Sequence, residues 1–77
     1  MDMEERHLAE ADRHIAESEK RIGEQEARIA EMKAGGHDVF EAEKFLENLR
    51  GTLVQFYAHR DLIVAELQRR QPAAPQG

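Results

Sequence analysis

The chain has 77 residues, with 11 Lys and Arg against 16 Asp and Glu, a net charge of −5 and no cysteine. That length carries one small domain, which buries little surface per residue unless a disulfide, a metal or a second subunit helps it. Disulfides and thiolate metal sites are excluded, the acidic balance opposes a nucleic-acid backbone, and no run of 18 apolar residues offers a membrane span.

The opening MDMEERH is acidic and has no apolar stretch, so it does not read as a signal peptide, and a cytoplasmic location is expected. A first helix is expected from about Met3 to Ala34. Asp2 caps it, and Glu5 completes a capping box. AGGHD, residues 34–38, is the only internal punctuation. There Gly35 or Gly36 takes the left-handed conformation that ends a helix. The turn is expected at 35–37. Asp38 then caps a second helix over about 38–70, with Glu41 again at the third helical position. Arg69 and Arg70 suit its negative end, and Pro72 stops it. Residues 71–77 are expected to be a disordered, Pro-containing tail. Each helix would be ~45–50 Å long at 1.5 Å per residue. So short a turn makes the pair antiparallel.

The periodicity carries the fold class. In the first helix Leu8, Ile15, Ile22 and Ile29 recur every seven residues, with Ala11, Ser18, Gln25 and Met32 between them. In the second, the same spacing picks out Ala42, Leu46, Leu49, Leu53, Phe56, Arg60, Ile63 and Leu67. This is an a/d heptad pattern, so the reading is all-α, an antiparallel, coiled-coil-like two-helix hairpin. Folding at the glycines sets Met32 against Ala42, Gln25 against Leu49, Ser18 against Phe56, Ile15 against Arg60 and Leu8 against Leu67. Small or polar slots then face large ones. Asp2–Arg6, Glu17–Arg21 and Glu24–Arg28 stand at i,i+4 with the acid first, an order that supports a helix modestly.

The second helix has more apolar surface than one seam uses. Phe45 and Ile63 mark one side of its arc, and Tyr57, Val64 and Val39 the other. Leaving such side chains in water forfeits roughly 1.5–3 kcal/mol apiece. The expectation is a homodimer of hairpins, a four-helix bundle, with docking on a different protein as the alternative. The residues expected at the interface are Phe45, Leu49, Leu53, Phe56, Tyr57, Arg60, Ile63, Val64 and Leu67.

Chemical motifs are weak. HRDL, residues 59–62, matches the catalytic loop of protein kinases, where the Asp takes a proton from the substrate hydroxyl. The kinase pattern needs an Asn five residues after that Asp, and here the position is Glu66. No glycine-rich loop, lysine-bearing strand or DFG accompanies it, so HRDL is read as part of a helix and no enzyme is expected. His7 and His14 are seven residues apart, ~10.5 Å along a helix, too far to share one ion. His14 and His59 fall at one level of the hairpin and are the candidate metal ligands, with Glu10 or Glu66 beside them. Solvent-facing or seam-edge histidine is the plainer reading. Glu4 and His7 make one Glu-x-x-His, but the second helix has no counterpart for a di-iron site. No cofactor is implied. The many carboxylates belong to a solvated outer face, and the two glycines of AGGHD to a turn. Ser18, Gln25 and Arg60 interrupt the apolar seam. Arg60 must either reach solvent along its stem or meet a carboxylate, and Asp12 and Glu19 flank its level.

The stretch from LAEADRHI through HRDLIVAEL resembles a group of short uncharacterised alphaproteobacterial proteins. EADRHI, RI…QE, GHD, AE…L and HRDLI carry the likeness over roughly residues 6–67. It implies a bacterial cytoplasmic origin and a helical-hairpin setting for HRD, with no activity to transfer. The functional expectation is a non-enzymatic, self-associating interaction module, a small adaptor or regulator. A His/carboxylate metal-binding or pH-responsive module centred on His14, His59 and Arg60 is the alternative.

Overall fold

The computed structural model describes residues 3–70, and these form two helices packed against each other. Helix α1 spans Met3–Ala34 and helix α2 spans Phe40–Arg70. No strand occurs among the described residues. The cap expected from Asp2, its pair with Arg6, and the 71–77 tail with Pro72 lie outside the described residues.

The end of α1 follows from one glycine. Gly36 has φ of +76°, a left-handed conformation that a Cβ would strain. This lets the chain double back. The Gly36 amide donates to the Lys33 carbonyl at 3.0 Å, and the His37 amide donates to the Met32 carbonyl at 2.9 Å. Together they make a Schellman motif, which satisfies carbonyls that the last helical turn would otherwise leave unpaired. Gly35 is closely approached by a side chain. A Cβ there would stand 3.0 Å from the His37 ring.

The second helix begins two residues later than Asp38, at Phe40. Asp38 does cap it, but from outside the helix. Its Oδ1 accepts from the Phe40 amide at 3.0 Å, and the Val39 carbonyl takes the first helical bond from Glu43 at 2.8 Å. The turn is therefore 35–39 rather than 35–37. Three residues after Gly36 are used to reverse the chain and to set the cap.

The seam lies where the heptads put it. Ala11, Ile15, Ser18 and Ile29 are buried on α1, with Leu8, Ile22, Gln25 and Met32 half-buried. On α2 Leu46 and Ile63 are buried, and Ala42, Leu49, Leu53, Phe56, Arg60 and Leu67 are half-buried. The helical period explains this directly, because three- and four-residue steps keep one stripe facing the neighbour. The core is thin. Only five apolar residues are buried among the described ones, and no large side chain is enclosed completely. Each buried Ile or Leu contributes about 1.5–3 kcal/mol of transfer free energy. The hairpin measures 22 and 18 Å across its short axes, so among the described residues it is one layer of two helices with no third element over either face.

Candidate functional site: two unlike flanks of the hairpin

The two sides of the seam differ in what crosses them. On one flank, polar side chains of α2 meet acids of α1. Arg50 Nη2 donates to Glu26 Oε2 at 2.8 Å, Tyr57 Oη to Glu19 Oε2 at 2.7 Å and Arg60 Nε to Asp12 Oδ1 at 2.6 Å. Nearer the turn, Lys33 Nζ lies 3.4 Å from Glu43 Oε2. At the far end Arg70 Nη1 lies 3.5 Å from Glu4 Oε1. These partners step away from the turn in opposite directions along the two chains, as antiparallel packing requires. Glu17–Arg21 and Glu24–Arg28, expected within α1, are not ion pairs in the structure. All four side chains lie on the other flank, where they border its hollows.

Arg60 is the charged residue in the seam, and its side chain is 37% exposed. Its stem covers seam residues while its guanidinium reaches Asp12 at the edge. The bond to Asp12 raises the guanidinium above its ordinary range. Glu19, the other carboxylate expected near this level, instead accepts from Tyr57. That bond, with partial burial and the Glu19 charge, raises the Tyr57 phenol above its ordinary pKa of 10.0. Gln25, the third polar seam residue, donates from Nε2 to the Ala42 carbonyl at 3.0 Å. It also lines a hollow with Leu49, its expected opposite number. No buried side-chain nitrogen or oxygen among the described residues lacks a partner.

The other flank is open. A hollow of about 680 Å³ lies between Arg21, Gln25 and Arg28 of α1 and Phe45 and Leu49 of α2. Arg21 also borders a second hollow with His14, Ser18 and Phe56. His14 and Phe56 border a third, with His7, Ala11 and His59. The three hollows adjoin along this flank, with Arg21 shared by the first two and His14 and Phe56 by the last two, and together they form its groove. The His14 and Phe56 rings meet tilted, with centroids 5.4 Å apart.

His14 and His59 thus come together, at a hollow of about 100 Å³ that His7 and Glu10 share. Glu66 does not join them, being paired with Arg69. No group of three or more His, Cys, Asp or Glu among the described residues is placed to hold a metal ion. His59, Arg60, Asp61 and Leu62 all lie inside α2, so HRDL is helical and not a loop.

Among the residues expected at an interface, Ile63 is already buried between the helices. Leu49, Leu53, Phe56, Arg60, Val64 and Leu67 are half-buried. Phe45 and Tyr57 stay exposed, Phe45 at 53%. Sequence reasoning did not assign Phe40 or Val54 to any surface. Both are large, apolar and exposed. Lys44 lies 6.0 Å from the Phe40 ring centre, one turn along the helix. Leu62, which points away from the seam, is 70% exposed. The signal for Phe40 and Val54 was their size at positions off the seam.

The described residues define an all-α, two-helix hairpin. Compared with known protein families, curated proteins and solved structures, the chain matches none. Among the described residues no helix is long and apolar enough to cross a membrane.

Proposed function

We propose that the chain is a non-enzymatic interaction module that self-associates, two coiled-coil-like hairpins pairing into a four-helix bundle that serves as a small adaptor or regulator. One observation carries the reading: large apolar side chains stand in water beside a core of five buried apolar residues. A layer of two helices leaves each with an uncovered face, and a second hairpin is the simplest cover. The seam's residual exposure at Leu49, Leu53 and Phe56 supports it, because a four-helix core would finish that burial. A cytoplasmic, bacterial setting goes with the reading. Light scattering after size exclusion tests it. The mass should be about twice 8.8 kDa at micromolar concentration, and a stable monomer at 8.8 kDa overturns the proposal.

A second reading has its own observation. Three imidazoles and one carboxylate border one hollow, His7, Glu10 and His14 from α1 and His59 from α2. Nearby Arg60 and Glu66 are committed to Asp12 and Arg69. A pH-responsive His/carboxylate module centred on this hollow is the alternative. On this reading association of the wild type should weaken on acidification. An equal loss in the His14→Gln, His59→Gln double variant removes this reading.

A further inference from the structure

We infer that the open groove is where a second copy of this chain docks, and that the two copies lie with their turns at the same end. The inference rests on the self-association reading and adds the face and the direction. The laced flank has its charges paired within the chain: Arg50 with Glu26, Arg60 with Asp12, and Tyr57 bonded to Glu19. The groove flank has an apolar floor of Phe45, Leu49 and Phe56, and none of the cross-helix ion pairs flanks it. Size fits as well. A face 22 Å wide along a 31-residue helix, or ~46 Å, offers about 1,000 Å² even as a flat rectangle. A standard interface takes ~800 Å² from each partner.

Charge decides the direction. On α1 the groove is bordered by a basic row at seven-residue spacing, His7, His14, Arg21 and Arg28. Four acids, Glu10, Glu17, Glu24 and Glu31, line the same hollows, and the helical period sets them one row further from the seam. A two-fold that puts the turns at opposite ends lays α1 on the second copy's α1. It then carries each row onto its own image, acids on acids and bases on bases, and such like-charge facing is strongly unfavourable. A two-fold along the hairpin lays α1 over the second copy's α2 instead. The same spacing brings Phe45, Thr52, His59 and Glu66 to that side of α2, and Glu41, Asn48, Gln55 and Leu62 outside them. The basic row then faces an aromatic ring, a hydroxyl, an imidazole and an acid, so that only His14 meets another base, His59, and Glu66 keeps Arg69 as its own partner. Only Glu41 brings an acid to the acidic row. Leu62, exposed in the hairpin alone, gains a neighbour.

The absence of native cysteine makes the test direct. A spin label at His37→Cys reports the distance between the two turns of the full chain. Turns at the same end give a distance under about 25 Å, and turns at opposite ends about the length of a helix, ~45 Å. The longer distance in a protein of dimer mass overturns the direction while leaving self-association standing. A wild-type monomer overturns both and leaves the groove to a different protein. Phe45→Glu and Val54→Glu test the face, with helicity followed by circular dichroism. Phe45→Glu should weaken dimerisation by about 30-fold or more, the scale of losing a hot-spot side chain. Val54→Glu should leave it within about threefold. The reverse pattern, with both variants helical, overturns the choice of flank.

Discussion

Arg60 reaches across the hairpin to Asp12, its Nε 2.6 Å from Oδ1, and this bond sits at the edge of the apolar seam instead of within it. The two side chains are both partly exposed, Arg60 at 37% and Asp12 at 53%. An Arg at a seam position therefore keeps its charge near water and lends its stem to the packing. The HRDL stretch has its structural meaning in this residue, and Asp61 stays exposed on α2.

Arg60→Leu follows from that placement. Leu at the same slot adds apolar burial beside Ile63, and Asp12, half-exposed, simply rehydrates. The midpoint of thermal unfolding should rise by about 4–8 °C. Asp12→Asn should move it by less than about 2 °C, as surface pairs contribute little. Circular dichroism melts of the two variants check both values.

Tyr57 gives a pH dependence with a definite sign. Its phenol is raised in the folded chain by the hydrogen bond to Glu19, by partial burial and by the Glu19 charge, with Arg60 opposing them. A raised folded value means the stabilising form is the neutral one. Its contribution is present below the ordinary value of 10.0 and is lost as pH climbs through the folded value. Wild-type stability, measured by urea unfolding, should fall more steeply above pH 10 than that of Tyr57→Phe.

The glycines divide by backbone conformation. Gly36 has φ of +76°, and Gly36→Ala should cost about 1 kcal/mol or more. Gly51 is inside α2, and a Cβ there would meet nothing within 4 Å. Gly51→Ala should stabilise by about 0.5–1 kcal/mol, since helix interiors favour Ala. Urea titrations of the two variants should move in opposite directions.

Gly23 separates the two flanks. A Cβ there also meets nothing within 4 Å of the hairpin. Its position in the heptads places it on the laced side, in register with Ala9, Ala16 and Ala30. With the groove as the interface, Gly23→Ala should stabilise the helix by about 0.5–1 kcal/mol and leave the dimer constant unchanged. Sedimentation equilibrium of the variant measures that constant, and a weakened dimer points to the laced flank.

Much of the fold was legible before any coordinates. Leu8, Ala11, Ile15 and the rest of the seam follow from the helical period, because a stripe repeating every three and four residues has only one way to face a neighbour. The α1 terminus was legible too, since among adjacent residues only a glycine takes φ of +76° without strain. The start of α2 was not. Whether Asp38 sits inside a helix or caps it from two residues away depends on how many residues the reversal needs.

What the sequence by itself determined is the pair of helices, the stripe that joins them and the turn between. These come from backbone geometry and apolar burial, which are read from one chain position at a time. Only the tertiary structure decided that Arg60 takes Asp12 while Glu19 takes Tyr57, and that Glu26 takes Arg50. It alone decided that one flank is laced and the other is a groove lined by Phe45, Phe56 and His59. The physical reason is that competing surface pairs differ by a few tenths of a kcal/mol. At that scale the reach of a side chain across the neighbouring helix, and not its spacing along its own, selects the partner.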